Sequence, residues 1–248
     1  MKQLTVMIVA LASALALSSY AAECEHTISV TGKADEKVKP DVAYVTVYAQ
    51  ADGILMVDAV KKGDKLVAEI TSAIKTETNT VKNITVVDVT LGEKRTEYWR
   101  SDQKQESPRP QVARLIRITC EPKPDGIYEV IDKAIRAGAL MQIPSRSSYS
   151  DDIRSVVVYG LEKSTEVVER ARRSAMNDAR AEAKKSAILA GKSVGDVITI
   201  GCTGSSSCWN FPMRVMGRKV DFPTEHVGTN PEEITISHAV SVTFEMKD

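Results

Sequence analysis

The chain has no excess of charge of either sign: 33 Lys and Arg side chains face 33 Asp and Glu over 248 residues. No global field therefore draws it to nucleic acid or to an anionic lipid surface, and nucleic-acid binding is disfavoured. After the first 21 residues it lacks any run of about 18 apolar residues, so no transmembrane span is expected. It also lacks a phosphate loop. "GKS" at Gly191 to Ser193 imitates the end of one, but Ser186 stands where the motif needs its first glycine, and the triplet follows a helical segment instead of a strand. The segment "GSSSC" before Trp209 lacks the glycine placement of a nucleophile elbow, and no histidine can be nominated as its partner. No catalytic constellation emerges, and the chain is expected not to be an enzyme.

What is present begins with an export signal. Lys2 supplies a short positive segment, residues 4–17 form an apolar stretch, and Ser19 and Ala21, on either side of Tyr20, place small residues where signal peptidase needs them. Residues 1–21 are therefore expected to be a cleaved signal peptide and 22–248 one domain, located in the periplasm or associated with the envelope. Cys24 is not expected to carry lipid, because Glu23 precedes it where a small residue is required. All four cysteines, Cys24, Cys120, Cys202 and Cys208, fall after the signal, an even count that an oxidising compartment tends to pair. Three pairings are open. The preferred one joins Cys24 to Cys120 and closes a small ring between Cys202 and Cys208 across "CTGSSSC". A redox or metal site is the weaker alternative, since that spacing is neither C-x-x-C nor a usual zinc knuckle and "CEH" is isolated.

Periodicity then sets out the elements. Residues 26–32 and 41–50 alternate as half-buried strands, and 83–91 and 112–120 read as two more. Met56, Val60, Val67, Ile70 and Ile74 accumulate on one face of a helix whose weak point is Gly63. A second helix is expected over 127–137, capped by Asp125 and ended by Gly138 in a left-handed conformation. A third spans 164–190, stopped by Gly191, with Val168, Ala171, Ala175, Ala179, Ala183 and Ala187 on one stripe that permits close approach to a neighbour. On its solvent side Glu166 with Arg170, and Glu169 with Arg173, are spaced to pair, which makes the basic cluster Arg170, Arg172 and Arg173 a solvated face. A strand follows over 194–200.

The last strand, 233–246, alternates for its full length, with Ile234, Ile236, His238, Val240, Val242, Phe244 and Met246 on one face. His238 and His26 both fall on apolar faces and are expected to be core histidines satisfied by hydrogen bonds. Alternating strands can bury only one face each, so the fold class expected is α+β. It should have two layers, a mostly antiparallel sheet with helices packed on one face, built from repeated strand-helix-strand units.

Two segments stand out as contact surfaces. The excursion over 203–230 is too long to be a mere connection and carries Trp209, Phe211, Met213, Val215 and Met216 among Gly, Pro and basic residues. The polar run 92–111 carries Tyr98 and Trp99 and reads as an extended hairpin tip. Apolar side chains of this size are costly to leave in water, so the excursion either folds back on its own domain or packs on a neighbouring subunit, with the tip as complementary surface.

Three stretches, "ISVTGKADEKVKPDVAYVTV", "SAMNDARAEAKKSAILAGKSVGDVITI" and "EEITISHAVSVTFEM", occur in an order that resembles the SIMPL-domain family of exported bacterial proteins. The middle of the chain departs from the family in "QVARLIRITC", where an aromatic-containing strand is usual. The resemblance implies a periplasmic or envelope-associated homo-oligomer in envelope maintenance or oxidative-stress defence. It implies envelope proteins as further partners, no cofactor, and no catalytic residues to carry over. The competing expectation is a periplasmic small-molecule, metal or redox-responsive binding protein that uses the histidines and cysteines.

Overall fold

The structure, a computed structural model, describes residues 26–75, 80–94, 109–141, 157–203, 213–215, 218–220 and 222–248. In chain order they form β1 (Thr27–Val38), β2 (Val42–Asp52), α1 (Met56–Lys75), β3 (Val81–Lys94), β4 (Arg109–Cys120), α2 (Pro124–Arg136), β5 (Val157–Gly160), α3 (Thr165–Leu189), β6 (Ser193–Thr203), β7 (Met213–Val215), β8 (Arg218–Val220), β9 (Val227–Gly228) and β10 (Ile234–Lys247). The α+β expectation holds, and the strands divide between a three-stranded sheet, β1-β10-β6, a five-stranded sheet, β3-β4-β2-β5-β9, and the β7-β8 hairpin. The chain falls into two compact units. The first comprises Met1–Glu36, Val167–Ser206 and Ser237–Asp248, and the second Lys37–Glu166 with Ser207–Ile236. Each is assembled from separated segments, so neither is a contiguous piece of chain.

The first unit is one helix on the three-stranded sheet. β10 runs antiparallel to β6, with Val242 opposite Ile200 and Val240 opposite Cys202. On its other side the Met246 N–H donates to the His26 carbonyl, and the Ser29 and Thr243 hydroxyls lie 2.8 Å apart. Numbers that rise along β1 as they fall along β10 make this pairing antiparallel too. The buried row on β10 is the one the alternation predicts: Ile234, Ile236, His238, Val240, Val242 and Phe244 are buried, and their neighbours are not. Val240, Val242 and Phe244 pack against Ala175, Ala179 and Ala183 of α3.

The small residues matter here because the backbones touch. A Cβ at Gly32 of β1 would lie 2.7 Å from the Ala179 Cβ and collide with the Ala175 carbonyl, so the strand can sit this close only as glycine. The adjacent Lys33 N–H donates to the Asp178 carboxylate at 2.9 Å, which fixes the register of strand against helix. Details of the stripe differ from expectation. Val167, not Val168, begins the buried row, because the alanines that follow it recur every fourth residue. The solvent-side pairs also differ. Arg170 bonds Glu36 of β1 at 3.0 Å in place of Glu166, and Glu169 pairs with Arg172 at 2.8 Å in place of Arg173. A neighbouring strand within reach of a long guanidinium wins over an intrahelical partner worth only ~0.3–0.5 kcal/mol.

The second unit places α1 and α2 on the five-stranded sheet. β2 lies inside it, antiparallel to β4 over its whole length and to β5 at its start. Its residues 42–49 are all buried, so both faces are covered. Facing residues of the ladder fix the helix side: Val45 with Ile118, Val47 with Ile116, Ala51 with Val112. Gly63 lies over Val112, where a Cβ would stand 2.7 Å from the valine Cγ1. The expected weak point of α1 is thus its point of closest approach to the sheet. The carboxylate of Asp64, one residue on, pairs with Arg114.

α2 begins one residue earlier than its expected cap. Lys123 occupies the N-cap without a side-chain bond, and Pro124 opens the helix. The fixed φ of proline suits that first position, which leaves Asp125 inside the first turn, where its charge complements the helix dipole. Gly138 and Gly191 do terminate their helices with φ of 95° and 70°. β5, only four residues long, was not legible as a strand. It exists because β2 offers it an edge.

Candidate functional site

Polar side chains, several with buried atoms, gather where β5 joins β2. The Asp41 carboxylate, just before β2, accepts the Glu162 N–H at 2.7 Å and the Lys163 N–H at 3.1 Å. These bonds hold the strand end against the segment that leads into α3. Gly160 at the end of β5 is enclosed: a Cβ there would meet the Thr224 Oγ1 at 2.7 Å and the Tyr44 ring at 2.9 Å. The Tyr44 ring stacks obliquely on Phe222, centroids 5.6 Å apart. The Tyr44 and Thr224 hydroxyls are buried and neighbouring, yet neither is aligned for a hydrogen bond. Burial raises the Tyr44 phenol above its ordinary value, opposed in part by the Thr224 hydroxyl.

His226 joins this region through its backbone, its carbonyl accepting the Leu161 N–H at 3.2 Å. Its ring is buried, and Nδ1 has no partner. Loss of water pushes its pKa below 6.5, with the Glu225 charge acting the other way. Sequence reasoning passed over His226 because it lies in the long excursion, where no period signals burial. Tyr44, Thr224 and His226 could donate or accept toward a small polar molecule, but they do not make a nucleophile-base pair.

The other histidines depart from expectation. His26 is exposed at the start of β1, its Nδ1 lying 3.0 Å from the Lys192 ammonium. His238 is buried on the apolar row of β10 as expected, but both ring nitrogens lack hydrogen-bond partners. No three His, Cys, Asp or Glu side chains gather into a metal-binding group among the described residues.

The candidate disulfide and contact residues are only partly placed. Cys120 is buried at the end of β4 with a free thiol, pushed up to about 12 by burial. The β-ladder places it between Ala43 and Val81, and its expected partner Cys24 is not among the described residues. Cys24, Tyr98, Trp99, Cys208, Trp209, Phe211 and Met216 lie outside the described residues. Cys202 stands opposite Val240 on β6, and Met213 opposite Val220 in the β7-β8 hairpin.

One surface feature lies on the strand that precedes Tyr98 and Trp99 in sequence. β3 forms an outer edge of the five-stranded sheet and pairs with β4 up to Lys94 and Arg109, the two arms that lead into that segment. On β3 the side chains of Val86, Val89 and Leu91 stand opposite Ile116, Arg114 and Val112, on the helix side of the sheet. They remain 39%, 46% and 56% exposed, because α1 lies mainly over β2 and β4 and touches β3 only slightly. No helix among the described residues is long and apolar enough to cross a membrane.

Residues 28–244 match the family model SIMPL, described as a protein of unknown function (DUF541). No curated protein matches the chain.

Proposed function

We propose that this chain, which belongs to the SIMPL family, is an exported, non-enzymatic protein that assembles with copies of itself in the periplasm or at the envelope. Its role there is envelope maintenance or oxidative-stress defence, with envelope proteins as further partners and no cofactor. The observation that carries self-assembly is the β3 edge. An edge strand presents unpaired N–H and C=O groups, and natural proteins normally blunt it with charge or cover it. β3 carries Lys82, Asp88, Glu93 and Lys94 and two register shifts, yet it also leaves Val86, Val89 and Leu91 half in water along fourteen residues. That apolar edge is continuous in sequence with Tyr98 and Trp99. A second copy that covers the edge removes both the apolar exposure and the unpaired backbone.

The export reading rests on the charged, apolar and small-residue order of residues 1–21. Native mass of the exported protein tests assembly. A multimer is expected, reduced in subunit number by Val89→Glu with Leu91→Glu while circular dichroism stays unchanged. A monomeric parent, or a mass that the double variant leaves intact, overturns the reading. Trp209→Ser with Phe211→Ser asks the same of the long excursion. The second reading, a small-molecule, metal or redox-responsive protein, draws on the unpartnered Nδ1 of His226 and the two unpartnered ring nitrogens of His238. Stoichiometric metal in the purified protein would favour it.

A further inference from the structure

A groove in the first unit has the composition of a binding site for an organic anion. Its origin is geometric. A helix with its side chains is about 10–12 Å across, and neighbouring strands lie about 4.8 Å apart, so one helix covers two strands well and a third poorly. α3 is drawn over β1 and β10 by the Gly32 contact and the alanine seam, which leaves the helix side of β6 partly open. The opening, about 250 Å³, is lined by Arg180 and Lys184 of α3, by Val194, Gly195, Asp196 and Val197 of β6, and by Phe244 of β10.

The charges in this groove are unbalanced. Arg180 and Lys184 stand one helical turn apart, both exposed, and neither has an ion pair or hydrogen bond among the described residues. Like charges at this spacing destabilise a helix by a few tenths of a kcal/mol. Neighbouring charges on α3 are already paired: Glu182 is held by Lys185 at 3.4 Å. The one acid in the lining, Asp196, is turned to solvent and lies 3.6 Å from the Lys247 ammonium, which it shares with Glu245 at 3.4 Å. Its apolar atoms come from the half-buried Val194 and Val197, with Phe244 buried beneath them.

Two unanswered cations above an apolar floor fit a ligand with one anionic end and a short apolar body. We propose that the α3-β6 groove binds a small amphiphilic anion, a carboxylate with a short alkyl chain. The carboxylate bridges Arg180 and Lys184, and the chain lies on Val194 and Val197. The volume is just below the usual range for ligand pockets, about 300–1,000 Å³, which limits the body to a short chain.

Octanoate is the probe, with the full exported protein as receptor and amide chemical shifts plus titration calorimetry as readouts. Saturable binding is expected, with shifts concentrated in residues 194–197. Arg180→Glu with Lys184→Glu should weaken it about tenfold or more, the combined worth of two solvent-facing charge contacts. Both side chains are exposed, and unchanged circular dichroism would confirm that the variant folds. Two controls give the alternatives. Octanol that binds as well as octanoate overturns the role of the cations, and inorganic phosphate that binds as well overturns the role of the floor. No saturable binding of octanoate, or binding that the double variant retains in full, overturns the site itself.

Discussion

In the first unit the helix side of the core is Ala175, Ala179 and Ala183, whereas in the second it is Ile70 and Ile74 of α1 with Ile127 and Val130 of α2, packed over Ile116 and Ile118. Both interiors exclude water, but they do so by different means. One brings backbones together until no side chain is needed to fill the gap. The other keeps its layers apart and fills the space with branched side chains. An alanine seam buries little apolar area per residue and tolerates no addition, while an isoleucine layer contributes more area and tolerates no removal.

Truncation in the second unit should have the largest effect. Ile116→Ala leaves a cavity between β4 and the helices and is expected to cost about 3–4 kcal/mol, read as a shift of the urea midpoint without a change in slope. Ala179→Gly, the nearest equivalent in the first unit, should cost only ~1 kcal/mol, mostly helix propensity. Equal losses would show that the seam is not distinct in kind.

Addition should reverse the ranking. Gly32→Ala is expected to cost about 2–3 kcal/mol, because the new methyl meets the α3 backbone and neither element can give way alone. Gly92→Ala, whose Cβ meets nothing within 4 Å, is the control and should be nearly neutral. A neutral Gly32→Ala would refute backbone contact as the basis of the first unit.

A smaller effect is expected from acid in the second unit. His226 has a folded pKa below 6.5, so below that value the unfolded state binds more protons and stability falls as pH drops toward the depressed folded value. Above 6.5 both states are neutral at this site and the contribution levels off. His226→Gln should flatten the decline in melting temperature across that window. A slope that the variant leaves unchanged would assign the acid sensitivity to other groups.

The smallest effect is a silence. With its pKa near 12, only about one Cys120 thiol in ten thousand is ionised at pH 8. Iodoacetamide should therefore leave Cys120 unmodified in the native protein and alkylate it in urea, followed by peptide mapping. Native modification at a rate comparable with an exposed cysteine would mean that the β2-β4 layer opens readily.

Much of this was legible in one dimension. The alternation from Ile234 to Phe244 named its buried face correctly, and Gly138 and Gly191 marked the ends of their helices, because local sterics decide both. The alanine stripe was legible as a site of close approach, but not its partner: nothing in "ISVTGKADEKV" says that Gly32 will meet Ala179, 147 residues away by subtraction of their numbers. Gly63 misled for the same reason, since a glycine inside a helix looks like a weakness until the strand beneath it is known. Of the candidate site, the histidine on a strand could be read from its period. His226 could not, because an irregular segment has no period to read.

Read alone, the sequence established an α+β chain, the buried face of β10, the ends of α2 and α3, and an order of motifs that is that of SIMPL. These are properties of neighbours along the chain, fixed by backbone sterics and the spacing of apolar side chains. Packing in three dimensions settled that the strands divide between a three-stranded sheet, a five-stranded sheet and a hairpin, that β3 and β6 are edges, and that Cys120 is a buried free thiol. It alone also decided that a single helix leaves Arg180 and Lys184 over an uncovered strip of β6. Those outcomes depend on which distant segments compete for the same surface, and that competition is settled by packing in three dimensions, for which the linear pattern carries no coordinate.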